Sequence, residues 1–344
     1  MYQKCAYFSI YPLALKVHQG IQSKLTMIYV NKIKGLLPMK AAFYEKQGSA
    51  YEVLKVGELP KPSPGPDEVL VRVLVSAVNP SDIKARTGFS SQMLYARIIP
   101  HQDGAGVIEA IGENVSPERL NERVWLYEAQ YGRASGTAAE FVVVPAIQAV
   151  RLPDNVSFET GASLGIPALT AHRCLFSDGD LKGRRVLIHG GAGAVGTAAI
   201  LLAKWAGAWV VTTVRNAQQA EIAKTSGADL VLNRTTDDVA NIIMASTDNQ
   251  GVDHIVDVAL KENLDINLAC LTQGGVISAY ATMSATETLS VPLLKAMKHG
   301  CVLRFVYIYN VPMEVKIAST ADINACLETG TYAPFTGLNL RLSK

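Results

Sequence analysis

Residues Gly191-Ala192-Gly193-Ala194-Val195-Gly196 carry the spacing G-x-G-x-x-G. That spacing recurs by chance and is informative only between a strand and a helix. Both are expected here. Arg185-Val-Leu-Ile-His189 reads as a strand entering the turn, and Thr197 to Ala206 as an apolar helix leaving it. In this context Gly191 permits a tight turn, Gly193 lets backbone approach a pyrophosphate, and Gly196 lets helix and strand pack closely. The helix start offers free N–H groups and partial positive charge to phosphate. An NAD site would place Asp or Glu about 20 residues further on, to hold the ribose hydroxyls. No acidic residue occurs from Val186 to Ala220; Arg215 and Asn216 stand there instead. A guanidinium clamps a 2′-phosphate that a carboxylate would repel. The expected cofactor is NADPH, with Arg234 as a second contact. Either arginine also reads as an ordinary solvated charge.

The elements that would position this turn change character along the chain. From Met39 to about Val150 short strands alternate with turn signals. They lie at 69–78, 106–111, 123–127 and 139–144, behind a Pro/Gly breaker at Pro60–Pro66, and suggest a small barrel-like unit. After Leu152-Pro-Asp-Asn155 come helical segments, at about 157–164 and 167–176. Strands at 185–189, 209–214, 229–232, 252–258 and 275–280 then follow, with helices at 217–226 and 237–245. Repeated strand–helix units imply a parallel sheet covered on both faces.

The chain has 344 residues and a net charge of +2, too little for a nucleic-acid surface. Hydrophobic residues make up 49%, which excludes wholesale disorder. No run approaches the ~20 apolar residues that span a bilayer. The 5 cysteines are scattered without C-x-x-C, as in reduced intracellular proteins. Residues 1–38 hold five lysines and no acid, which leaves 27 basic and 30 acidic residues in the remainder. Three readings stand for this leader: non-native sequence ahead of an effective start at Met39, a targeting segment, or a structured extension. The expected location is cytoplasmic, or mitochondrial if the leader is a genuine presequence.

A family resemblance rests on Asn79-Pro-Ser-Asp82, Pro100-His-Gln-Asp-Gly-Ala-Gly-Val107, Gly136-Thr-Ala-Ala-Glu-Phe141, Leu152–Phe158, Gly165-Ile-Pro-Ala-Leu-Thr-Ala171 and His189–Gly196. In this order the motifs resemble the medium-chain dehydrogenase/reductase superfamily, in its zinc-free quinone reductase (zeta-crystallin-like) branch, over about 39–335. The resemblance implies an α/β fold: a doubly wound Rossmann sheet at 163–305 inserted in a GroES-like β-barrel catalytic domain at 39–162 and 306–344. It places the active site between the two and implies homodimers or tetramers paired through a Rossmann edge strand, with a homodimer expected here. Val302–Tyr309 is a candidate for that strand, or an ordinary core strand. Relatives continue past a strand like 335–342 by about 25–30 residues, a helix and a strand. Their loss would lower stability or mark a truncated product.

By motif alignment, the ligand positions of zinc-dependent relatives fall on Asn79, Gln102 and Gly165, so no metal is expected. His101 lies one residue off and reads as a turn or surface histidine. Without a Lewis acid the fitting substrates are quinones and activated enones, already electrophilic, with hydrogen-bond donors to meet the developing oxyanion. The resemblance places Asn79 and Thr170 beside the nicotinamide. Many relatives hold a tyrosine five residues after this Asn; Lys84 stands here, as an anion stabiliser or a solvated loop lysine. Tyr127 and Tyr131 read as cleft-lining or as packing. Asp82 and Asp103 read as loop-holding residues. The expected activity is NADPH-dependent reduction of a quinone or activated enone. Alternatives are an alkenal/enone double-bond reductase and a non-catalytic nucleotide-binding protein.

Overall fold

The computed structural model describes residues 38–89, 92–334 and 340–342. Almost all of the leader, and most of the strand expected over 335–342, lie outside them. The chain opens with β1 (Pro38–Phe43), α1 (Ala50–Val53) and β2 (Lys55–Pro60); β1 and β2 pair antiparallel. Then come β3 (Glu68–Ala77), α2 (Pro80–Thr87), β4 (Asp103–Ile111), β5 (Arg123–Leu126), β6 (Phe141–Pro145) and β7 (Ala149–Arg151). Strands β3 to β7 form an antiparallel sheet in the order β6-β3-β4-β5-β7. Two register shifts in β3, between Leu70 and Val71 and between Val73 and Val75, bend it. Val69, Val71, Ile108, Val124, Leu126, Val142 and Val144 are packed together inside.

Helices α3 (Phe158–Ala162) and α4 (Gly165–Phe176) lead into the second unit. It runs β8 (Arg185–His189), α5 (Ala194–Trp205), β9 (Trp209–Val214), α6 (Ala217–Thr225), β10 (Leu230–Asn233), α7 (Val239–Ser246), β11 (Val252–Asp257), α8 (Leu260–Cys270), β12 (Leu271–Ala279), α9 (Leu293–His299) and β13 (Val302–Phe305). The six strands are all parallel, in the order β10-β9-β8-β11-β12-β13. This is the dinucleotide-binding order, which reverses between β8 and β11. Alternate side chains feed two cores. Val186, Ile188, Val210 and Val256 pack with Leu169, Leu175, Ile200 and Leu202 of α4 and α5. Leu187, Val211, Ile255 and Ile277 pack with Ile243 and Leu264 of α7 and α8. Burial on both faces explains why the strands read as unbroken apolar runs.

The first of these cores does not stop at the unit boundary. It takes in Ala105, Trp125, Tyr127 and Leu152 from the antiparallel unit, and Ile323, Cys326 and Leu327 of α10 (Met313–Glu328). Two expectations change. The helix after the glycine turn begins at Ala194, capped by Gly193, not at Thr197. The strand expected over 302–309 ends at Phe305, and a 3₁₀ turn covers Ile308–Asn310. Helix α10 lies in the segment assigned to the catalytic unit, and it packs against both units.

Candidate active site

The strand order reverses at the neighbours β8 and β11, and the glycine turn follows the carboxyl end of β8 there. Gly190, not Gly191, takes the left-handed conformation, with φ 74. Gly191 is constrained by space: a Cβ there would lie 2.1 Å from the Thr212 hydroxyl. At Gly196 a Cβ would lie 2.2 Å from the Gly190 carbonyl. Gly193 differs, since its Cβ would meet only that carbonyl, at 3.3 Å. Gly193 and Ala194 are exposed, Ala192 and Val195 half-buried, and Gly191 and Gly196 buried. No side chain caps α5. Protein packing therefore explains Gly191 and Gly196, and an open space above Gly193 with uncapped N–H groups remains, which fits a phosphate. Beneath the turn, His189 bridges the Thr213 hydroxyl at 3.0 Å and Asn267 Oδ1 at 2.8 Å; Asn267 in turn donates to Asp257 at 2.6 Å. Burial pushes the His189 imidazole below its ordinary pKa.

Arg215 and Arg234 stand at the ends of neighbouring strands, with the Arg234 N–H donating to the Val214 carbonyl at 2.9 Å. Neither guanidinium makes an ion pair among the described residues. Asn216 is engaged as the cap of α6, accepting from the Gln219 N–H at 2.9 Å.

Across the crevice lies the start of α2. Asn79 is buried; its amide donates to Asp103 Oδ2 at 2.6 Å, and its backbone N–H donates to Asp82 Oδ2 at 2.7 Å. Asp103 also accepts from the Ile166 N–H, at 2.9 Å, on α4. A Cβ at Gly165 would overlap the Asp103 carboxylate, which is why glycine fits there. Thr170, one turn along the same helix, is buried as well. Each of the two aspartates keeps one oxygen without a partner. Burial lifts the Asp82 carboxyl to about 7 and the Asp103 carboxyl well above the usual range. The zinc-ligand positions of relatives hold Asn79, Gln102 and Gly165, and Gln102 bonds Gln130 at 3.1 Å. Among the described residues no three His, Cys, Asp or Glu side chains cluster as a metal site. His101 bonds the Ser76 hydroxyl at 2.9 Å, and burial lowers its pKa to about 4.

Of the two readings of Tyr127, packing holds and the cleft role is corrected, and Lys84 fits neither of its two readings. Tyr127 has no exposed surface. Its hydroxyl lies 3.4 Å from the Ile147 carbonyl and from the Met313 sulfur, and burial pushes it up to about 12. It is a core residue, not a cleft residue. Lys84 is not a free cation: it donates to the Thr282 carbonyl at 2.8 Å and lies over the Phe89 ring. It is a strut between α2 and the loop after β12.

Other residues at the crevice receive no site role from the sequence. Tyr309 stacks on Tyr131 at 4.6 Å and meets Ser81 of α2. Glu128 and Lys316 form a buried ion pair at 2.6 Å, joining α10 to the loop after β5. Of these, Ser81 lies within Asn79–Asp82 and Tyr309 ends the apolar run Val302–Tyr309, whereas Glu128 and Lys316 belong to no motif.

The comparisons with known proteins agree with this geometry. The family model for the alcohol dehydrogenase GroES-like domain matches residues 65–154, and that for zinc-binding dehydrogenase matches 194–320. The chain is 30% identical over 295 residues to the quinone oxidoreductase of Lama guanicoe, covering 85% of this chain and 87% of that one. The chain belongs to the quinone reductase branch of the medium-chain dehydrogenase/reductase superfamily. As a member of that family it is an oxidoreductase, with a Rossmann unit joined to a GroES-like one. The quinone oxidoreductase of Rattus norvegicus is 33% identical over 238 residues, covering 69% of this chain and 71% of that one. A mycobacterial protein solved in complex with NADPH superposes with TM-score 0.73 at 27% identity, over 86% of this chain and 90% of that one. A nicotinamide cofactor follows from the family.

Proposed function

We propose that this chain reduces quinones or activated enones with NADPH. The observation that carries the reading is the pairing of an open glycine turn with two unpaired arginines at the ends of β9 and β10, where NAD sites hold an acid. Gly193, Ala194 and Val195 would receive the pyrophosphate, and Arg215 and Arg234 the 2′-phosphate. Asn79 and Thr170 would border the nicotinamide, with Asn79 held in orientation by Asp103. When bound, this cofactor supplies hydride. The acceptor must bring its own electrophilic carbon, because the side chains at 79, 102 and 165 offer no thiolate or imidazole to a metal. That requirement favours quinones and α,β-unsaturated carbonyls over simple ketones.

The catalytic unit comprises 39–162 and 306–344, and 163–305 is the cofactor unit. We place a homodimer contact on the free edge of β13, where Phe305 is 70% and Tyr307 58% exposed. Helix α9 adds Leu293, Leu294 and Met297, all exposed. The free thiols of Cys174, Cys270, Cys301 and Cys326 suit a reducing compartment such as the cytoplasm.

The experiment is a panel of matched quinone and enone acceptors, followed by loss of NADPH absorbance. We expect acceptor-dependent oxidation, with 1,2-naphthoquinone among the faster acceptors. Enones turning over while every quinone stays inert would assign the chain to the double-bond reductases.

A further inference from the structure

We propose that Ser81 and Tyr309 form the hydroxyl pair that holds the acceptor oxygen as it becomes negative, with the stacked rings of Tyr309 and Tyr131 forming a wall for a planar acceptor. This rests on the reductase reading above.

The two residues come from opposite sides of the crevice. Ser81 lies two positions after Asn79, in the first turn of α2. Tyr309 lies in the 3₁₀ turn just past β13, at the carboxyl edge of the parallel sheet. The Tyr309 phenol donates to Ser81 Oγ at 3.0 Å. Ser81 and Lys84 are three residues apart on α2 and so share a face. Both contact loops at that sheet edge, Ser81 through Tyr309 and Lys84 through Thr282. Helix α2 carries no tyrosine of its own.

The chemistry fits a donor pair. Ser81 Oγ accepts from the phenol, and among the described residues nothing accepts its own hydrogen. A hydroxyl that accepts one hydrogen bond becomes a stronger donor of the next. Tyr309 is fixed by its stack on Tyr131, with planes 25° apart, and by Tyr307 at 5.2 Å. Lys316 Nζ reaches its carbonyl at 3.5 Å. Burial and the nearby carboxylates Asp82 and Asp103 keep the phenol protonated. It therefore serves as a neutral donor and not as an acid. A bound nicotinamide would supply hydride to the acceptor carbon and be oxidised, leaving the negative charge on the acceptor oxygen. Ser81, backed by Tyr309, stabilises that charge, and water supplies the closing proton.

The test compares the wild type with Ser81→Ala, Tyr309→Phe and the double variant. Each single change should lower kcat by at least about tenfold, as for loss of one oxyanion donor. NADPH affinity should not move. The double variant should lose no more than the worse single, because the two hydroxyls act in series. Tyr309→Leu should raise KM for planar quinones about tenfold, through loss of ring stacking. The kcat profile should show no tyrosine ionisation up to about pH 9, below the ordinary phenol value. If Tyr309→Phe fails to fold, Ser81→Ala alone decides. Variants as fast as the wild type, or losses that multiply, would overturn this inference alone. A wild type that oxidises no NADPH with any acceptor would overturn the reductase reading and this inference with it.

Discussion

Gly193 and Gly191 sit two residues apart and should respond in opposite ways to one methyl group. Gly191→Ala drives a Cβ into the buried Thr212 hydroxyl and should cost about 1–3 kcal/mol of stability, read from urea unfolding. Gly193→Ala meets little protein. It should leave the unfolding midpoint near wild type and weaken NADPH binding about tenfold, by filling the space meant for phosphate. Arg215→Ala should raise the NADPH dissociation constant about tenfold and spare NADH, because the loss is one charge-assisted contact to the 2′-phosphate. An unchanged NADPH constant would remove the basis for the cofactor preference. Asp82 adds a pH signature. Its folded carboxyl titrates near 7, above the usual value of 3.8, so between these two values the native state binds more protons than the unfolded one. Stability should therefore fall as pH rises from about 4 to about 7. Asp82→Asn should flatten this slope, measured as the urea midpoint against pH.

At the scale of elements, legibility in the sequence follows from how apolar the buried stripe is. Strands β8, β9 and β11 were readable because both their faces are buried and their runs are continuous. Helix α10 was not readable. Its buried face is Lys316, Ser319, Thr320, Ile323, Cys326 and Leu327, spaced as a helix requires but half polar. Helix α8 hides the same way. Asn263 and Asn267 stand in its buried stripe because Asp257 and His189 need partners. The glycine turn was legible because backbone geometry restricts residue type there. The Ser81–Tyr309 contact was not, because it joins residues 228 positions apart. Helix α10 is locked down by the Lys316–Glu128 pair, both side chains 3% exposed. Lys316→Ala should cost about 3–5 kcal/mol by leaving a buried carboxylate unpaired. Lys316→Met with Glu128→Gln should recover much of that loss in thermal unfolding.

Over the whole molecule, two units share one apolar core, and the crevice between them is bridged at Lys84–Thr282 and Ser81–Tyr309. The cofactor turn and the Asn79 cluster are thus held on a common frame, with α4 as the crosspiece that gives Asp103 the Ile166 N–H. The exposed edge of β13 predicts a second level of assembly. Sedimentation should find a dimer, and Phe305→Lys should shift it to monomer by placing a charge in an apolar contact. The proposed reductase activity rests on docking of a 2′-phosphorylated dinucleotide at the turn Gly191–Gly196. Calorimetric titration of the purified chain with NADPH and NADH tests it most directly. NADPH should give saturable heat, and NADH should bind at least about tenfold more weakly for want of the phosphate contact. Equal affinity for the two would remove the role given to Arg215 and Arg234, and no heat from either would rule out dinucleotide binding at this turn.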